Sequence, residues 1–336
     1  MTKNLFPFRW KTCMVCCVFC CNMLFAFLSK GQAPEKIIGA DISWLPQFED
    51  QGKKYYENDK ATDAIQILKD KGFNYIRLRI FNNPRADSGY SKKGYCDLES
   101  TKKMALRIKA AGMGFLLDFH YSDNWADPGK QHIPSAWKKL SYKVLKDSVK
   151  AFTKMVLNQL KEQGTSPDMV QVGNEINHGM MWPVANVTHL DTLAGVLKAG
   201  IAAVRSEDKS AKIMLHIACG GQNQESRFFL DNMLSRGVKF DIIGESYYPE
   251  WHGSIADLKS NLNDLALRYK QDVIVVEYSK LKLDVNDAAF NLVGKNTVGT
   301  FIWEPLGYQE AVFDKTGHPN EYLNIYPVIK ARYGVK

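Results

Sequence analysis

From residue 36 onward the chain alternates short, continuously apolar runs with longer stretches in which apolar residues recur every three or four positions. The short runs cover 37–44, 74–81, 114–121, 169–176, 213–218, 241–248, 273–279 and 299–303. Their length and lack of a polar face predict strands buried on both sides, as in a parallel sheet covered by helices. Between them, the spacings Leu145, Val149, Phe152, Val156, Leu160 and Leu193, Leu197, Ile201, Val204 predict amphipathic helices. Gly72, Gly112 and Gly164 stand where such helices would stop before the next strand. Eight strand–helix units predict an α/β fold, a (β/α)8 TIM barrel in a single domain over 32–336. A doubly wound open sheet is the competing arrangement. It calls for a Gly-rich phosphate turn after the first strand, and Gly39-Ala40-Asp41-Ile42 is not one.

The first 31 residues break the pattern. Lys3, Arg9 and Lys11 precede an almost wholly apolar run over 12–28, and the small residues Ser29 and Gly31 follow. That order is a secretory signal peptide, with cleavage expected after Gly31 and export of a chain that begins at Gln32. A retained membrane anchor is the alternative, but the run falls short of roughly 20 residues and holds Asn22. Five of the seven cysteines lie in this segment and would leave with it. Cys96 and Cys219 remain, expected as two separate thiols.

Charge narrows the partners. The net charge of +8 includes four basic residues in the leader, where no acid offsets them. Removing them leaves 40 basic and 36 acidic residues, a net of +4, dispersed along the chain. Such a balance argues against nucleic acid or an anionic membrane as partner. The expected form is a monomer.

In a barrel of this kind function sits at the C-terminal ends of the strands. Those ends read Asp41; Arg77 and Arg79; Asp118 and His120; Asn174 and Glu175; His216; Glu245 and Tyr247; Glu277; and Glu304. Buried charge is costly unless paired, so a purely structural barrel end has no reason to collect so many ionisable groups. Glu175 ends the fourth strand and Glu277 the seventh, and those strands face each other across a closed mouth. Two carboxyls about 5–5.5 Å apart, one nucleophile and one acid/base, are what a retaining glycosidase needs. The competing reading for either glutamate alone is an ion pair with Arg77 or Arg79.

The block over 118–131, which opens Asp118-Phe119-His120-Tyr121-Ser122-Asp123-Asn124-Trp125, resembles the third-strand signature of family 53 glycoside hydrolases, the arabinogalactan endo-β-1,4-galactanases. Gly39-Ala40-Asp41-Ile42-Ser43, Arg77-Leu78-Arg79, Gly173-Asn174-Glu175-Ile176-Asn177 and Trp303-Glu304-Pro305 resemble further blocks of that family. The resemblance covers about residues 36–333. It implies a barrel with catalytic glutamates on strands four and seven, retention of anomeric configuration, Glu175 as acid/base and Glu277 as nucleophile. Tyr278-Ser279-Lys280 and Ile80-Phe81 depart from the family pattern, which touches cleavage pattern more than reaction type.

Physical roles follow for the neighbours. Glu175 should be protonated near neutral pH through burial and the Glu277 charge. Arg77 and the hydroxyl of Tyr247 could keep Glu277 ionised; which of Arg77 and Arg79 meets it stays open. Asn174 suits the sugar 2-hydroxyl, and Asp118 and His120 suit sugar hydroxyls or the orientation of Glu175. Asp41, Arg77, Arg79, Tyr247 and Trp303 complete the expected substrate-binding set. Trp44, Trp125, Trp137, Trp182, Trp251 and Trp303 all follow strand ends, which suggests a rim offering flat faces to the sugars of a polymer, a plant (arabino)galactan.

Three other readings carry weight. A metal-dependent barrel hydrolase could use Asp118, His120 and His216, but the first strand lacks a His-x-His pair. A non-catalytic carbohydrate-binding barrel would be signalled by loss of one glutamate, and both are present. A sister activity on mannan or another β-glycan shares the fold and the pair. No phosphate loop or dinucleotide fingerprint appears, so no organic cofactor is implied; a structural calcium stays open. Asn186-Val187-Thr188 fits an N-glycosylation site.

Overall fold

Eight parallel strands close into a barrel in the computed structural model, which describes residues 1–2 and 35–336. They are β1 (Glu35–Asp41), β2 (Tyr75–Ile80), β3 (Gly114–Phe119), β4 (Met169–Val172), β5 (Lys212–Ile217), β6 (Ile242–Tyr247), β7 (Asp272–Tyr278) and β8 (Thr297–Trp303). Each pairs with its neighbours in chain order, and β1 closes on β8 through seven parallel partners from Glu35–Thr297 to Asp41–Trp303. All eight expected strands are present, with ends shifted by a few residues. The expected signal peptide lies outside the described residues, Met1 and Thr2 apart. No helix of the described residues is long and apolar enough to cross a membrane.

The strands are apolar on both faces because each face meets a different core. Ile37, Leu116, Met169, Met214, Ile242, Ile274, Val276 and Phe301 fill the barrel's interior. The opposite faces pack against the helices, among them α1 (Leu45–Asp50), α2 (Ala64–Asp70), α3 (Leu98–Ala110), α4 (Tyr142–Glu162), α5 (Leu190–Glu207), α6 (Asn223–Ser235), α8 (Ile255–Arg268), α9 (Lys282–Phe290) and α10 (Ile325–Tyr333), while the short α7 (Pro249–His252) follows β6. Helix α4 shows the pattern at work. Ser141 caps it by accepting from the Val144 N–H, and Leu145, Val149, Val156 and Leu160 form its buried stripe. Gly164, at φ +78°, lets the chain leave the helix toward β4.

Toward the C-terminal ends the barrel interior turns from apolar to polar. Asp41, Arg77, Asp118, Gln171, His216 and Glu277 lie above the apolar plug, all but excluded from solvent. That stratification places this buried polar cluster at the C-terminal end of the barrel.

Candidate active site

Arg77 organises the floor of the site. Its Nη1 donates to Glu277 Oε1 at 2.6 Å and to Asp41 Oδ2 at 3.0 Å. Its Nη2 donates to Asp118 Oδ2 and Asn174 Oδ1, both at 2.9 Å, and its Nε to Gln171 Oε1 at 3.1 Å. One guanidinium can donate to all five of these buried acceptors at once, where a lysine has only three donors. Arg77, not Arg79, therefore meets Glu277. Arg79 donates to Glu304 Oε1 at 2.6 Å and lies over the Trp125 ring at 4.3 Å. Glu304 in turn accepts from the Trp44 N–H at 3.0 Å, so Arg79 and Glu304 brace the aromatic wall.

The two glutamates come together. A carboxylate oxygen of Glu175, one of Glu277 and a ring nitrogen of His216 lie within 4.8 Å of one another. Glu175 follows β4 by three residues in a left-handed conformation, φ 47°, after Gly173 at φ 90°. This sharp exit turns its side chain across the mouth. Glu277 arrives by a different device. β7 carries one residue more than β6 between Glu245–Val275 and Ser246–Glu277, a bulge that re-aims the strand end inward.

Their environments differ. Burial and the facing Glu277 charge raise the Glu175 carboxyl well above its usual range, against the Ser246 hydrogen bond that lowers it. Burial also raises Glu277, but Arg77 opposes it. Asp118 is held below its usual range because Arg77 and His120 outweigh its burial. His120 Nδ1 accepts from the Ala126 N–H at 3.2 Å, which leaves Nε2–H to donate to Asp118 Oδ2 at 3.1 Å. Asn174 accepts from Arg77 and gives one N–H to the Ala126 carbonyl at 2.9 Å, so its second N–H stays available beside Glu175.

Two expected neighbours face the other way. Tyr247 points out of the barrel and donates to the Gly253 carbonyl at 3.1 Å; Tyr248 is the residue that reaches Glu277, at 3.3 Å from Oε2. Glu245 also points outward, where it accepts from Ser226 Oγ at 2.9 Å and Cys219 N–H at 3.2 Å. Strand alternation accounts for both: Ile242 faces the interior, so Ser246 follows it inward while Glu245 and Tyr247 do not. Cys96 and Cys219 are buried free thiols.

Above the pair opens a cleft of about 700 Å3. Asp41, Arg77, Arg79, His120, Asn174, Glu175, Glu277 and Trp303 all line it, with Tyr248 and Tyr308. Four tryptophans line it, not six: Trp44, Trp125, Trp251 and Trp303. Trp137 instead lines a separate depression with Phe152, and the Trp182 indole N–H donates to the His178 carbonyl at 2.9 Å. Ser246, Tyr248 and Gln171 were missed from sequence although the alternation along β6 and β4 carried the signal for all three; Tyr308, in the loop after β8, was missed as well, with no strand parity to mark it.

Glu175, His216 and Glu277 are also the group of the described residues with metal-ligand spacing. The guanidinium on Glu277 and the hydrogen bonds on both His216 nitrogens leave a cation a repulsive, already occupied ligand set.

Residues 37–318 match glycosyl hydrolase family 53. The chain belongs to that family. A probable arabinogalactan endo-beta-1,4-galactanase A of Neosartorya fischeri is 33% identical over 86% of this chain and 89% of its own length. The endo-beta-1,4-galactanase of Bacillus subtilis is 34% identical over 76% of this chain and 59% of its own. A relative from Niallia circulans of unassigned function is 48% identical over 72% of this chain, which spans 66% of that relative. Among solved structures, the Ignisphaera aggregans GH53 catalytic domain superposes with a TM-score of 0.82 and 32% identity, over 89% of this chain and 98% of that one. A fungal beta-1,4-galactanase gives 0.79 and 27% identity, over 88% and 99%. As a family 53 protein with a (β/α)8 barrel, the chain is a glycoside hydrolase.

Proposed function

We propose that this family 53 enzyme is a retaining endo-β-1,4-galactanase that cleaves internal bonds of (arabino)galactan. The observation that carries the mechanism is the short gap between Glu175 and Glu277, whose oxygens approach within 4.8 Å. An inverting enzyme needs roughly 6.5–9.5 Å between its carboxyls to admit a water, and a retaining one about 5–5.5 Å. In the first step Glu277 Oε attacks the anomeric carbon as the C–O bond to the leaving sugar breaks, and Glu175 gives its proton to that oxygen. In the second, Glu175 takes a proton from a water that attacks the anomeric carbon, and Glu277 leaves as carboxylate. Arg77 and Tyr248 hold Glu277 ionised for attack, and the free Asn174 N–H suits the 2-hydroxyl.

The galactan assignment rests on the galactanase relatives and on the cleft. β-1,4-galactan has an axial oxygen at each linkage, so its chain curves. Trp44, Trp125 and Trp303 come from three different strand ends and meet at interplanar angles of 62–89°, an angled wall suited to a curved chain. The test is the initial rate on purified galactan, mannan, xylan and β-1,3-galactan. Galactan should be fastest, with viscosity falling before reducing ends accumulate and the first product keeping the β configuration. A faster rate on mannan or xylan overturns the substrate, and an α product overturns the double displacement.

Export belongs to the same reading. Secreted material should begin near Gln32, and an intact mass that retains residues 1–31 would refute it.

A further inference from the structure

Behind Glu175 runs a buried chain of polar groups that the double displacement does not use. Ser246 Oγ donates to Glu175 Oε1 at 2.7 Å, and His216 Nε2 lies 2.7 Å from Ser246 Oγ. His216 Nδ1 lies 3.0 Å from Gln171 Nε2, and Gln171 is oriented by Arg77 Nε on its Oε1 at 3.1 Å. Ser246, His216 and Gln171 are buried in the barrel's interior. Burial makes an unmade hydrogen bond there expensive, so each hydrogen in the chain has a defined direction.

The direction can be worked out from the fixed end. Gln171 Oε1 faces Arg77, so its Nε2 is a donor; one hydrogen meets Asp118 Oδ1 at 2.6 Å and the other is shared among His216 Nδ1 at 3.0 Å, Asn174 Oδ1 at 3.1 Å and the Gly173 carbonyl at 3.1 Å. A ring that accepts at Nδ1 carries its hydrogen on Nε2 when neutral, and His216 is kept neutral by burial and by Arg77. Asn174 Oδ1 also approaches Nδ1, at 2.9 Å, but its two lone pairs accept from Arg77 Nη2 at 2.9 Å and from Gln171 Nε2 at 3.1 Å. His216 Nε2–H then donates to Ser246 Oγ, and the single Ser246 hydrogen is left for Glu175 Oε1.

We propose that Ser246 and His216 are positioning residues for the acid/base, an oriented donor chain that pins Glu175 Oε1 and leaves Oε2 as the oxygen that gives and takes the proton. The proposal rests on Glu175 as acid/base. The charged and titratable groups facing Glu175 are Glu277 from β7, Arg77 from β2, Asp127 from the loop after β3 and Tyr248 after β6. Those facing His216 are Glu175 and Glu277, each with a carboxylate oxygen within 4.8 Å of a ring nitrogen, and Arg77, His120 and His252. None of them touches Oε1 in place of Ser246, so removal of that hydroxyl deprives the carboxylate of this donor.

The experiment compares wild type, Ser246→Ala, His216→Gln and Glu175→Ala on galactan and on a 2,4-dinitrophenyl β-galactobioside, whose leaving group needs no protonation. kcat/KM reports the first step alone. Ser246→Ala should lose about 10- to 100-fold on galactan through misplacement of the acid and keep its kcat/KM on the aryl substrate. Its alkaline limb should move up by about one pH unit, because the ionised form has lost a charge-assisted hydrogen bond. His216→Gln should show the same split in smaller measure. Equal losses on both substrates, or an alkaline limb that stays or moves down, would overturn the proposal. Glu175→Ala separates the two readings: galactan activity like wild type in that variant would overturn the acid/base assignment itself.

Discussion

Arg77 links five carboxylate or amide acceptors from β1, β3, β4 and its end, and β7, so the charge balance of the site depends on one side chain. The acid/base pair should give a bell-shaped pH profile. On the proposed roles its alkaline limb is the loss of the raised Glu175 proton and its acid limb the protonation of Glu277, which burial raises and Arg77 only partly offsets. Glu175→Gln should cost about 10²–10⁴-fold on galactan, and Glu277→Gln at least as much, with the barrel still folded. A variant that retains near-wild-type turnover would remove that glutamate from the mechanism. Glu245, facing away from the site, gives a separate titration. Burial pushes its carboxyl up to about 8 from an ordinary 4.5. Between those values the folded chain keeps a proton that the unfolded chain has released, so stability falls as pH rises through that window. Glu245→Gln should flatten the fall and be the more stable protein at pH 8; parallel melting curves across pH for both proteins would refute this. Residue type at strand ends was enough to name Glu175, Glu277, Arg77, Asp118 and Asn174, which the structure gathers at the mouth. It failed at Tyr247 and Glu245 because a strand end offers two faces, and only parity relative to Ile242 tells them apart.

At the scale of elements, the eight strands and the helices between them were legible because burial on both faces erases alternation in the strands and leaves it in the helices. What composition did not reveal was the extra residue in β7. A bulge leaves no apolar signature, since Val275 and Val276 read as one continuous run. The seam between β1 and β8 has its own device. Gly299 adopts φ +152°, and a Cβ there would lie 2.1 Å from the Ile37 carbonyl oxygen. Two strands can approach this closely only where one lacks a side chain. Gly299→Ala should therefore destabilise the barrel by about 2–5 kcal/mol through strain and overpacking, while activity per folded molecule stays near wild type. An unchanged melting temperature would mean that the seam relaxes freely.

Over the whole molecule, the cleft has two unlike sides. Trp44, Trp125, Trp303 and Tyr308 form one edge-to-face cluster, with Trp303 and Tyr308 centroids 4.5 Å apart and Arg79 beneath Trp125. These rings brace each other, so each contributes only part of its face to a ligand. Trp251 stands on α7 after β6, touches only Tyr248 among the aromatic rings of the described residues and is 63% exposed. The expectation of six equivalent tryptophans on one rim overlooked this difference, since a position after a strand end does not say which neighbour covers the ring. An exposed, singly supported ring at a cleft edge adds a sugar-binding face remote from the reacting bond. Such a face strengthens substrate and transition state equally, so its loss should raise KM and leave kcat nearly unchanged. Trp251→Ala should raise KM for long galactan by about 2- to 12-fold, the equivalent of one aromatic contact of roughly 0.5–1.5 kcal/mol. Galacto-oligosaccharides too short to reach from Glu277 to α7 should be hydrolysed as by wild type. If the variant loses kcat on short and long substrates alike, Trp251 supports Tyr248 and the nucleophile rather than the polymer.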